Sequence, residues 1–149
     1  GQNIGAGELK RAKKTMTTGL MIALGISALV FIVVEIFPRE LLTLFTSETD
    51  VVETGITFLR LAAAEYMIVT PVFCMNGLAI GAGYTNVALL NAISSSIIIR
   101  VPLAYLLVRV FDLGFNGIGI AMGFAPIVSL FIGIIFVQSD KWKKAKIRL

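Results

Sequence analysis

Histidine is absent, cysteine occurs once, and charged residues make up only 15% of a 149-residue chain. With no histidine and only Cys74, there is no material for a thiolate–imidazole nucleophile, a disulfide framework or a Cys/His metal cluster. The sequence has no Gly-x-Ser-x-Gly elbow and no pair of acids within one apolar run, so an intramembrane enzyme is not expected. The shortage of charge excludes more. Soluble domains carry about 25% charged and ~45–50% apolar residues, whereas 57% of this chain is hydrophobic. It is not a soluble globular domain.

The net charge is +4, but the basic residues lie outside the apolar runs. They read as topology signals and not as a phosphate-binding surface, so no nucleic-acid partner is expected. The chain begins at Gly1 without an initiator Met or a signal-peptide pattern, and is expected to be a piece of a longer protein.

Four apolar runs stand out, at about residues 15–37, 55–82, 85–108 and 113–139. Each suffices to cross ~30 Å of hydrocarbon at ~1.5 Å per residue. The expected fold is an all-α integral membrane protein with four transmembrane helices forming one unit, and membrane lipids are its first partners. Four spans put both ends on one side. That side carries Lys10, Arg11, Lys13, Lys14, Lys141, Lys143, Lys144, Lys146 and Arg148, against Arg39 and Arg109 opposite. The positive-inside rule places both termini in the cytoplasm. Trp142 suits the headgroup layer.

Between the spans the punctuation is local. Gly5-Ala6-Gly7 reads as a helix stop, with Glu8 opening the next helix. The Ile4-Gly5-Ala6-Gly7 sequence returns as Ile80-Gly81-Ala82-Gly83, and both copies are expected on the same membrane side. Leu41, Leu42, Leu44 and Phe45 suit a short interfacial helix after a stop at Pro38. Ser47-x-x-Asp50 has the spacing of a capping box. Gly77-x-x-x-Gly81 and Gly119-x-x-x-Gly123 have the spacing that lets membrane helices approach closely. Cys74 reads as a small buried apolar residue.

The run Leu61–Ala82 differs from a passive anchor, because it holds an acid, Glu65, a proline, Pro71, and an amide, Asn76. A charge at the bilayer centre costs at least ~2.5 kcal/mol, so such groups face protein or water. By depth, Glu35, Arg60, Glu65 and Arg100 all fall in the half away from the termini. Either the acids pair with the arginines, or Glu65 faces a cavity and binds H⁺, Na⁺ or a cationic substrate; the sequence leaves both open. Asn76, Asn91 and Ser94–Ser96 lie nearer the termini. They either line that cavity or hydrogen-bond between helices. Pro71, Pro102 and Pro126 put a helix kink in each of three spans, a feature of rearrangeable bundles.

Taken in order, GQNIGAGELKRAKK, LFTSETDVVETGITFLRL, GLAIGAGYT, RVPLAYLL, LGFNGIGIA and KWKK resemble the multidrug and toxic compound extrusion (MATE) transporters. The resemblance covers essentially the whole chain and corresponds to the last four helices of a twelve-helix, two-lobed protein. It implies export of cationic or amphipathic compounds by H⁺ or Na⁺ antiport, with no other cofactor, in a bacterial cytoplasmic membrane. The missing N-terminal transporter helices would be partners, and these four helices alone would transport nothing. Some members carry a coupling acid in the helix matching Leu61–Ala82. Its offset falls at Val69, which is no carboxylate; Glu65 lies one turn earlier on the same face. Two other readings compete. One is a lipid-linked sugar flippase of the same superfamily, with Arg60 and Arg100 toward a diphosphate; the other is a small four-helix scaffold or assembly subunit.

Overall fold

The computed structural model describes residues 1–144; Lys146 and Arg148 of the basic tail lie outside the described residues. The described chain is helical. It runs α1 (Gln2–Gly5), α2 (Leu9–Ile36), α3 (Pro38–Thr43), α4 (Thr49–Gly81), α5 (Thr85–Arg109) and α6 (Gly114–Gln138), then a 3₁₀ turn, Lys141–Lys143. Helices α2, α4, α5 and α6 are long and apolar enough to cross a membrane. They extend the spans read from the sequence at the polar ends, since Leu9 and Thr49 already belong to their helices.

Helices α4 and α6 form the middle of the bundle, with α2 flanking α4 and α5 flanking α6. The reason lies in residue size. Along α6 the small residues Gly117, Ala121, Ala125, Ser129 and Gly133 recur every fourth position, and all are buried. Helix α6 therefore packs closely without bulky knobs. A Cβ on Gly117 would stand 3.1 Å from the Leu107 backbone of α5, and one on Gly133 would stand 2.7 Å from Met75 Sδ of α4. This corrects the glycine-spacing expectation. Gly119 and Gly81 do make close approaches, to Leu61 and Gly1, but Gly77 and Gly123 face open space.

Both Gly-Ala-Gly stops close in the same way. Gly7 and Gly83 adopt φ of +75° and +81°, and the amides of Glu8 and Tyr84 reach back to the carbonyls of Asn3 and Ala79 at 2.8 and 2.9 Å. This is the Schellman closure that glycine permits. The two copies also lie together, because Ile4, Ala12, Leu78, Ala79, Ala82, Phe136 and Trp142 form one apolar cluster at the end of the bundle where α1 meets the Lys141–Lys143 turn. Trp142 is only 2% exposed there, and its indole N–H donates to the Val137 carbonyl at 2.9 Å. The ring is not presented to headgroups, because it satisfies a last-turn carbonyl of α6 that has no helical donor.

At the far end, α3 forms where an interfacial helix was expected, with Pro38 in its first turn and Leu44 and Phe45 exposed just beyond it. The capping box does not form. Helix α4 starts at Thr49 with Glu48 as its cap, which leaves Ser47 one position too early, and Thr46 Oγ1 accepts from the Glu48 amide instead. Cys74 is half-buried. Pro71 and Pro126 sit inside continuous helices. Ahead of Pro102, α5 departs from α geometry: Ser94–Arg100 is a π-helix.

Candidate functional site

Helix α4 is tied to its neighbours by ion pairs, all toward the end away from the termini. Arg39 of α3 pairs with Glu53, and Glu35 of α2 with Arg60 at 3.3 Å. Arg60 also donates to the Glu35 backbone carbonyl at 3.2 Å, one of the last-turn acceptors of α2 that lack a helical donor. Deeper in, Glu65 of α4 pairs with Arg100 of α5. Their side chains are 13% and 33% exposed, against 37% and 47% for Glu35 and Arg60. Glu65–Arg100 is the inner pair, the one least screened by surroundings.

Glu65 and Arg100 form part of the wall of a cavity of about 300 Å³ between α4, α5 and α6. The same cavity is lined by Asn76, Asn91, Ser95, Ser96 and Ser129, and its apolar wall includes Val69 and Pro126. Glu65, Asn76, Asn91 and Arg100 thus converge on one space, and Glu65 faces it while pairing with Arg100. Val69, where the family's offset falls, faces that cavity one turn from Glu65.

The polar wall is anchored at Asn91, which is 1% exposed. Its amide nitrogen donates to Asn76 Oδ1 at 2.7 Å, and Ser129 Oγ donates to its backbone carbonyl at 2.9 Å. Three helices therefore meet at one asparagine. Among the described residues its Oδ1 has no donor and Arg100 Nε has no acceptor. A buried amide oxygen left unsatisfied costs about 1–3 kcal/mol, and both atoms belong to residues that line the cavity. Met122 lies four residues before Pro126, and its carbonyl likewise loses the helical donor that Pro126 cannot supply.

The sequence reading did not single out Ser129 or the π segment. The signal for Ser129 was a lone hydroxyl inside the uncharged α6, three residues after Pro126. A further polar link, Ser27 of α2 to Thr70 of α4 at 2.6 Å, also went unread. The Thr70 hydroxyl gives its one proton to the Tyr66 carbonyl, so Ser27 is the donor in that link.

A four-span integral membrane protein with a charged and amide-lined cavity among proline-containing helices has the architecture of a membrane transporter. The MatE family model matches residues 1–106, and the chain belongs to that family. Among curated proteins it is similar to the probable multidrug resistance protein NorM of Thermotoga maritima, 26% identical over 144 residues, 97% of this chain and 31% of that protein. It is also similar to the probable multidrug resistance protein YpnP of Bacillus subtilis, 29% identical over 148 residues, 99% of this chain and 33% of that protein. The chain spans about a third of the length of these relatives. No solved structure matches it.

Proposed function

We propose that this four-helix stretch forms one wall of the central pathway of a secondary active exporter, and that Glu65 is its ion-coupling carboxylate. The observation that carries this reading is the placement of Glu65: an acid inside a span, facing a cavity shared with amide and hydroxyl groups. Ionisable groups placed so mark ion and substrate pathways. Binding H⁺ or Na⁺ at Glu65 competes with its pairing to Arg100, so ion occupancy changes how tightly α4 holds α5.

The substrate class is a small cationic or amphipathic compound, in keeping with the multidrug names of the relatives. Export moves the compound without making or breaking a covalent bond, so the chain is not an enzyme and uses no cofactor beyond the coupling ion. A cavity of about 300 Å³ is at the low end for a drug-sized ligand, whose pockets run to ~1,000 Å³. Further helices are needed to enclose one. The exposed apolar faces of α2 (Ile22, Ile26, Leu29) and α5 (Leu89, Ile97, Tyr105) suit such helices and membrane lipids as partners. The basic residues around α1, the start of α2 and the end of α6 support cytoplasmic termini in a bacterial cytoplasmic membrane. The flippase reading is less well supported, because Arg60 and Arg100 are each already paired with a carboxylate.

The test is transport in proteoliposomes containing the protein as purified from its membrane. An imposed proton or sodium gradient is expected to drive a fluorescent lipophilic cation across the bilayer faster than in empty vesicles. Flux equal to that of empty vesicles under both gradients would overturn the exporter reading.

A further inference from the structure

In an α-helix, residues follow each other at ~100°, so Asn91 and Arg100, nine positions apart, would point ~180° away from one another. They nevertheless line the same cavity. The π segment Ser94–Arg100 reconciles the two. Its i→i+5 bonding takes up an extra residue, which removes one ~100° step and leaves the two side chains within ~80°. Arg100 meets Glu65 only because α5 carries this π segment.

The same segment is weakly held in its register. Pro102 cannot donate a backbone bond into it, and Ser94, Ser95 and Ser96 carry hydroxyls that compete with helical bonding. No side chain in the segment is fully buried. Before the segment the helix is anchored, by Asn91 to Asn76 and Ser129; after it, Leu107 packs against Gly117, a contact that rotation of the far half has to exchange.

We propose that Arg100 is a positioning residue for Glu65, carried on a register switch. In the π state Arg100 neutralises Glu65. Collapse of the segment to α geometry turns Arg100 by ~100° relative to Asn91, puts Ile99 in its place, and leaves Glu65 free for a cation from the cavity. Asn91 stays docked throughout, so the rotation is confined to the far half of α5. This rests on Glu65 being the coupling acid, but helix register can be read without transport.

The experiment uses the protein in lipid nanodiscs, with Cys74→Ser and pairs of spin labels. Labels at Phe124→Cys of α6 and Tyr105→Cys of α5 report the half of α5 beyond the switch. Labels at Phe124→Cys and Leu89→Cys report the fixed half. All three positions are exposed. The Phe124–Tyr105 pair is expected to show two distances whose weights shift when sodium replaces choline or when pH is lowered, while Phe124–Leu89 stays constant. Pro102→Ala, which restores an amide donor, and Arg100→Gln should both move weight to the second distance, and Arg100→Lys should move it back. Deleting Ser95 removes the extra residue, keeps Arg100 within ~80° of Asn91 in plain α geometry, and should leave only the first distance. A single Phe124–Tyr105 distance, unchanged by sodium, pH and Pro102→Ala in protein that keeps the control distance, would overturn the switch. Register shifts in a protein whose Glu65→Gln variant still transports would refute Glu65 as the coupling acid and leave the switch standing.

Discussion

Arg100→Gln strands the Glu65 carboxylate, 13% exposed, between α4 and α5 without its counter-charge. Removing one partner of a fully buried ion pair costs about 3–5 kcal/mol, whereas exposed pairs contribute about 0–1 kcal/mol. Arg100 is 33% exposed, which sets the expected loss between these limits, at about 2–3 kcal/mol. Adding Glu65→Gln removes the stranded charge and leaves two amides able to bond each other, so the double variant should recover most of the loss. The coupling between the two positions is then about 1–3 kcal/mol. The outer pair supplies the control: Arg60→Gln at a half-exposed pair should cost about 1 kcal/mol or less. All four proteins would be unfolded by denaturing detergent from the same mild detergent, followed by helix signal. The reasoning fails if Arg100→Gln costs no more than Arg60→Gln, or if the two inner substitutions simply add.

Gly117→Ala pushes a methyl to 3.1 Å from the Leu107 backbone, which cannot rotate away. It should lower stability by about 1–3 kcal/mol. Gly123→Ala meets nothing within 4 Å and should be neutral or stabilising by up to about 1 kcal/mol; melting curves in detergent compare the two. Asn91→Leu removes the donor to Asn76 Oδ1 but spares the Ser129 bond, which goes to the backbone. An unfolding loss of about 1–3 kcal/mol is expected, from the stranded Asn76 oxygen. A loss near zero would show that the amide pair is not a structural hub.

Much of this was legible because bilayer physics is blunt. Length, charge depletion and the basic ends define four spans, and the glycines at positions 7 and 83 mark helix stops that only a left-handed residue closes. The convergence of Glu65, Asn76, Asn91 and Arg100 was legible only in outline, from the depth of each polar group. Which acid meets which arginine depends on helix rotation, and a uniformly α-helical reading of α5 turns Arg100 away from Asn91. The π segment is invisible to a 3.6-residue period, although Ser94–Ser96 lie within it and Pro102 just beyond it. Packing of α6 was legible only in part, since Gly119 meets Leu61 closely but Gly123 meets nothing. The spacing Gly119-x-x-x-Gly123 looks like a motif, but the buried stripe includes alanine and serine and runs one face over, from Gly117 to Gly133.

The most direct test of Glu65 as the coupling acid is gradient-driven efflux of a fluorescent cation from cells or vesicles, comparing the wild type with Glu65→Gln at matched membrane levels. The expected result is loss of ion-driven efflux with expression and folding intact. Efflux at the wild-type rate would contradict it and leave Glu65 as a pairing residue for Arg100.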